Sequence, residues 1–216
     1  MATETVQEVT ALGLAARKAS RKLARLSTED KNRVLLNLAG LLRSDQAGVL
    51  AANAEDYQEA KADGLDESLL DRLLLTSERL NGTADELQRV AELPDPIGEV
   101  IETSSLPNGL IASRRRVPLG VVGSIYESRP NVTVDIFGLC LKSGNACILR
   151  GGKETIRSNT ELVALLRKAL TDAGVTTDAV QFLDNPDRAL VDAMLKMDQY
   201  IDLLVPRGGA SLVKFV

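Results

Sequence analysis

Apolar residues recur at three- and four-residue steps through the start of the chain, with Val6, Val9, Leu12, Ala16, Ala19, Leu23 and Leu26 on one face. That spacing predicts an amphipathic helix. Ser27 follows as an N-cap with Asp30 three residues on, and Val34, Leu35, Leu38, Leu41 and Leu42 carry the stripe into a second helix. Further helices are expected over 47–62, 67–75 and 83–93. The charged positions among them (Arg17, Lys18, Glu55, Asp56 and Lys61) read as a solvated face with no site chemistry.

The texture changes at Pro94-Asp95-Pro96. Residues 101–102 and 110–117 read as strands around a turn at Pro107-Asn108-Gly109. Strands and helices then alternate: strand 119–126, helix 131–142, strand 145–150, helix 156–173, strand 179–183, helix 186–198 and strand 200–205. Gly144 and Gly174 fall where helix ends need a positive φ, and Asn185-Pro186 supplies an N-cap with Pro at the first helical position. Short apolar strands separated by helices predict a doubly wound, mostly parallel α/β sheet over 97–216, behind a helical region over 1–96. Six residues after Ala210 is an early stop for such a sheet, so the α/β region reads as incomplete.

Composition narrows the chemistry. The 216 residues are 44% hydrophobic and 26% charged, enough to bury a core and stay soluble. A net charge of −4 argues against a nucleic-acid face, and 3% aromatics without Trp argue against base stacking. The N-terminus is acidic and polar, unlike a secretory leader, and no apolar run approaches the roughly eighteen residues of a membrane helix. A cytoplasmic setting is the default expectation. With no histidine, His-based triads and zinc motifs are excluded, and Cys140 and Cys147 cannot supply a four-ligand metal site. Both cysteines read as buried core residues.

In an open α/β sheet, ligands bind beyond the carboxyl ends of the strands. Residues 126–133, 150–154 and 206–210 fall there, and the last two combine glycines with cations, as an anionic cofactor requires. No G-x-G-x-x-G follows a strand. Gly152-Lys153 lacks the earlier glycine and the following Ser/Thr of a P-loop, which makes a kinase reading weak. Arg114-Arg115-Arg116 reads as an exposed edge or oligomerisation strand.

Four segments carry a more specific signal: VPLGVVGSIYESRPNVT at 117–133, LKSGNACILRGGKE at 141–154, DNPDRALV at 184–191 and YIDLLVPRGGAS at 200–211. Together they resemble the gamma-glutamyl phosphate reductases, a branch of the aldehyde dehydrogenase superfamily. The resemblance implies an aldehyde-dehydrogenase-like fold and a cytoplasmic homo-oligomer that associates with a glutamate 5-kinase. It implies reduction of gamma-glutamyl phosphate by NADPH: a cysteine thiolate displaces phosphate, and hydride reduces the thioester to glutamate 5-semialdehyde. That cysteine would lie beyond position 216, so these residues would hold the cofactor and oxyanion part of the site. The rival reading is a cofactor-domain fragment or nucleotide-binding module with no catalysis of its own.

The resemblance also assigns residues. Asn131 corresponds to the asparagine whose amide donates to the developing oxyanion; as a local alternative it is a helix N-cap. Arg129 would pair with substrate carboxylate or phosphate, against the alternative of a surface arginine. Arg150 and Lys153 stand where NAD-using relatives carry Lys and a ribose-binding Glu, so the reversed sign at 153 favours the 2′-phosphate of NADPH. Gly151 and Gly152 would close around that phosphate, with Tyr126 among the cofactor contacts. Arg207, Gly208 and Gly209 would hold the pyrophosphate. Two extra residues between Ile125 and Asn131, relative to ordinary aldehyde dehydrogenases, leave the partners of Tyr126, Glu127 and Ser128 open.

Overall fold

The computed structural model describes the backbone of residues 2–216 and the side chains of these except 2–6, 8 and 188. Five helices come first: α1 (Ala2–Leu23), α2 (Thr28–Ser44), α3 (Ala47–Ala62), α4 (Glu67–Leu73) and α5 (Ser77–Glu92). The stripe residues Val9, Ala16, Ala19 and Leu23 are buried, as are Val34, Leu35, Leu38 and Leu42. Val6 lies outside the described side chains. Ser27 caps α2 by accepting from the Asp30 amide at 3.1 Å. The helix expected over 83–93 starts six residues earlier, because Thr76 caps it by accepting from the Arg79 amide and Leu80 anchors its first turn in the core.

Next comes a ribbon of β1 (Val100–Ser105) and β2 (Ile111–Arg115), antiparallel and exposed at every position. The remaining elements are β3 (Val121–Tyr126), α6 (Asn131–Lys142), β4 (Ala146–Arg150), α7 (Ile156–Asp172), β5 (Val180–Phe182), α8 (Arg188–Leu195), β6 (Leu203–Arg207) and α9 (Ala210–Phe215). Gly144 and Gly174, both at φ +71°, follow α6 and α7 as expected. The start of α8 corrects the sequence reading. Asp187, not Asn185, caps it, accepting from the Ala189 amide at 2.9 Å, while Asn185 accepts from Asp187 in a turn just before. Pro186 therefore precedes the cap.

The strands form a parallel sheet in the order β5-β4-β3-β6. All six residues of β3 are buried, the mark of a strand covered on both faces. The chain steps outward from β3 through β4 to β5, then returns to place β6 on β3's other side. The order therefore reverses at the carboxyl ends of β3 and β6, the position where such sheets leave a crevice. Residues of α1, α2 and α5 share one hydrophobic core with the sheet and its flanking helices.

Of the charged positions read as solvated, one is buried and another is tied down in a partly exposed ion pair. Asp56 is buried and accepts from the backbone amide and hydroxyl of Ser158 at 2.8 and 2.7 Å, joining α3 to α7. Arg17 pairs with Asp202, which also accepts from the Val121 amide at the start of β3.

Candidate functional site

At the end of β3 the chain turns sharply through Glu127-Ser128-Arg129-Pro130 into α6. Ser128 takes φ +47°, the one non-glycine residue with positive φ among those described. What holds it there is Glu154, whose Oε1 accepts from both the Ser128 amide (2.7 Å) and its hydroxyl (2.8 Å). Glu127 reaches the other way and accepts from the Gly209 amide at 3.1 Å. Two carboxylates thus tie the β3 turn to the loops after β4 and β6. Sequence reasoning assigned a role to neither.

Three clefts open around this turn. The first, about 480 Å³, is lined by Tyr126, Glu127, Arg150, Gly152, Lys153 and Glu154, with Pro186 and Phe215 on its walls. A second, about 500 Å³, is lined by Glu127, Arg129, Arg207, Gly208 and Gly209, together with Arg72 of α4. The third, about 320 Å³, holds Arg129 and Asn131 beside Arg72, Arg79 and Glu86. The expected cofactor residues therefore divide between two clefts, with Glu127 in the wall of both. Arg129 bridges the second and third.

Individual residues differ from their sequence reading. Tyr126, expected as a cofactor contact, is inaccessible to solvent, and its hydroxyl lies 2.6 Å from Thr133 Oγ1. Burial pushes that phenol well above its usual range. Its side chain is packed beneath the first cleft, whose lining includes Tyr126. Gly151 is buried with Asn159, Thr155 and Tyr126 packed where a Cβ would stand, so its lack of a side chain serves close packing and not approach to a phosphate. Arg150 donates to the Gly151 and Pro186 carbonyls at 2.9 and 3.1 Å, bracing the two loops. Lys153, 74% exposed, stands over the cleft 3.7 Å from Asp63.

Asn131 is the first residue of α6, not its cap. Pro130 occupies the cap position in helical geometry, and no side chain bonds there. The local alternative for Asn131 is thereby overturned. Its amide nitrogen instead donates to Asp135 Oδ2, one turn along, at 3.2 Å. Asp135 was unremarked in the sequence, yet burial, reinforced by Glu86 and opposed by Arg207, pushes its carboxyl up to about 6.

That shift has a sign. A carboxyl that holds its proton more tightly in the folded chain stabilises the fold least when ionised. Stability thus falls as pH rises from about 4 through about 6, and the cost is complete above that. Asp135→Asn, which keeps an acceptor for Asn131, is expected to raise the unfolding free energy at pH 8 by about 2 kcal/mol. The gain should vanish toward pH 4. Urea melts at the two pH values check this, and an equal change at both would assign the effect to packing.

Neither cysteine belongs to the clefts. Cys140 is buried in α6 and Cys147 in β4, and contact with Cys140 together with burial holds the Cys147 thiol well above its usual value. Among the described residues, no group of His, Cys, Asp and Glu side chains could hold a metal ion.

Residues 1–211 match the aldehyde dehydrogenase family. The gamma-glutamyl phosphate reductase of Escherichia coli O1:K1 / APEC is 57% identical over 203 residues, covering 94% of this chain and 49% of that protein. Among solved structures, the gamma-glutamyl phosphate reductase of Thermotoga maritima superimposes with a TM-score of 0.94 at 39% identity, over 96% of this chain and 50% of that one. The Saccharomyces cerevisiae gamma-glutamyl phosphate reductase gives 0.89 at 34% identity, over 96% and 53%. The chain spans about half the length of the curated relatives it matches.

Proposed function

The chain belongs to the aldehyde dehydrogenase family, and from that premise we propose that the protein it comes from reduces gamma-glutamyl phosphate to glutamate 5-semialdehyde with NADPH, releasing phosphate. The observation that carries this reading is the placement of Asn131 at the start of α6, beside Arg129 and one tight turn from the cation-lined cleft of Lys153. Identity of 57% to a gamma-glutamyl phosphate reductase supports the substrate.

The donor set suits an anionic dinucleotide. Lys153 would meet the 2′-phosphate, with Arg150 bracing the loop beneath it and Gly152 making room for the Glu154 carboxylate that holds the turn. Arg207, Gly208 and Gly209 would line the way toward the reacting end. NADPH, when bound, supplies hydride. Asn131 would donate to the carbonyl oxygen as it gains negative charge, and Arg129 would hold an anionic group of the substrate. No thiol of this chain reaches the clefts, so the nucleophile belongs to residues beyond 216 in this proposal, and 1–216 alone would be inactive. The exposed ribbon of β1 and β2, with Ile111 at 70% exposure, is the surface through which we expect copies to associate. We place the protein in the cytoplasm; no described helix is long and apolar enough to cross a membrane.

The reverse reaction tests the reading. Full-length protein, glutamate 5-semialdehyde and NADP⁺ should form NADPH only when inorganic phosphate is present. Equal NADPH formation without phosphate would instead make the protein an ordinary aldehyde oxidiser that yields the free acid.

A further inference from the structure

The third cleft carries charge of both signs that the oxyanion and cofactor roles do not use. Arg72, Arg129 and Glu86 line it together with Asn131, and Asp135 adjoins it through its bond to Asn131. Arg79 is committed to Asp71 and to the Leu74 carbonyl. Arg72, Arg129 and Glu86 make no ion pair among the described residues, although both signs line a cleft of only about 320 Å³. Glu86 comes close enough to Asp135 to help raise its carboxyl, so two acidic groups on α5 and α6 repel one another across the site. A bound cation would relieve that repulsion, and a bound anion would serve the arginines. An α-amino acid has both.

We propose that this cleft, between α5 and the first turn of α6, recognises the α-amino-acid end of the substrate: Asp135 and Glu86 take its ammonium group, and Arg129 with Arg72 takes its carboxylate. The proposal rests on the acyl-phosphate reductase reading and deepens it. The side chains of Asn131 and Asp135 touch, Nδ2 to Oδ2 at 3.2 Å, so an oxyanion donor and an acidic group stand side by side at this end of the cleft. Because the amide of Asn131 carries two N–H groups, it can hold Asp135 with one and still offer the other. A des-amino chain would leave Glu86 without a partner and Asp135 with only the Asn131 amide, which is how a site of this kind rejects the wrong ligand.

The test compares two aldehydes in the phosphate-dependent reverse reaction of the full-length protein: glutamate 5-semialdehyde and 5-oxopentanoate, which lacks only the amino group. The quantity read is the ratio of their kcat/KM values, each referred to the open-chain aldehyde, because the amino aldehyde closes reversibly to its cyclic imine. Wild type should favour the amino aldehyde, and Glu86→Gln and Asp135→Asn should each cut that preference by about 10-fold or more, the worth of a charge-assisted hydrogen bond. NADPH binding and circular dichroism verify folding. Should Asp135→Asn fail to fold, Glu86→Gln, at an exposed position, decides alone. Wild type using both aldehydes within about twofold, or an unchanged ratio in a folded variant, overturns the assignment while leaving the reaction standing. Wild type turning over neither aldehyde overturns the reaction and the assignment with it.

Discussion

Replacing Asn131 with alanine in the full-length protein is expected to lower turnover by about a hundredfold while NADPH affinity stays nearly intact, the signature of a donor used only in the transition state. The geometry sharpens this expectation. Asn131 is not a helix cap, since Pro130 holds that position, so its loss removes no backbone partner from α6. Alanine at the first helical residue is readily accommodated. The one bond lost within the described structure is the 3.2 Å contact with Asp135, between half-buried groups. Steady-state kinetics and a cofactor titration separate the outcomes: preserved turnover with weakened NADPH binding would move Asn131 from the reacting carbonyl to the cofactor.

The second large effect concerns cofactor choice. Lys153→Glu should raise the Michaelis constant for NADPH by about tenfold or more, the worth of a charge-assisted contact to phosphate, and change that for NADH little. The native pairing of Lys153 with Asp63 is long and exposed at both ends, 74% and 63%, and contributes little to the fold, so the substitution should spare stability. Arg150 is a poorer probe. Its guanidinium donates to the carbonyls of Gly151 and Pro186, and replacing it would loosen the loops that shape the cleft. Measuring both cofactors on one preparation decides the matter: an equal rise for NADPH and NADH would remove Lys153 from selectivity and make it a general anchor.

Much of the site was legible before any coordinates. ESRPN at 127–131 and RGGKE at 150–154 marked the ends of two strands, and the structure puts both segments around one turn. The two cysteines read as core residues and are buried. Other features were not legible. Asp135 and Glu86 sit on helices whose pattern showed only an amphipathic face, and a carboxylate one turn beyond an asparagine carries no motif. Arg72 lies in a stretch set aside as free of site chemistry, yet it lines two clefts with Arg129. Such residues become visible only through whom they meet.

The division has a physical basis. Periodicity reports which side of a helix or strand faces the core, because burial follows from geometry repeated every few residues. By that rule the sequence determined the helical start and the parallel α/β alternation after residue 119, while the need for positive φ placed the glycine ends of α6 and α7. The partner of a polar side chain obeys no such period. Glu154 holds Ser128 from 26 residues away, Glu127 reaches Gly209 across 82, and Asp56 meets Ser158 across 102. Whether an aspartate is solvated, as Asp56 was read, or buried and bonded depends on which distant chain segment folds over it. The tertiary structure alone decided that, together with the positive φ of Ser128, the buried place of Tyr126 and the sharing of cations among three clefts. Apart from the Tyr126–Thr133 contact, seven residues apart, these rest on polar groups distant in sequence, which hydrophobic patterning along the chain does not encode.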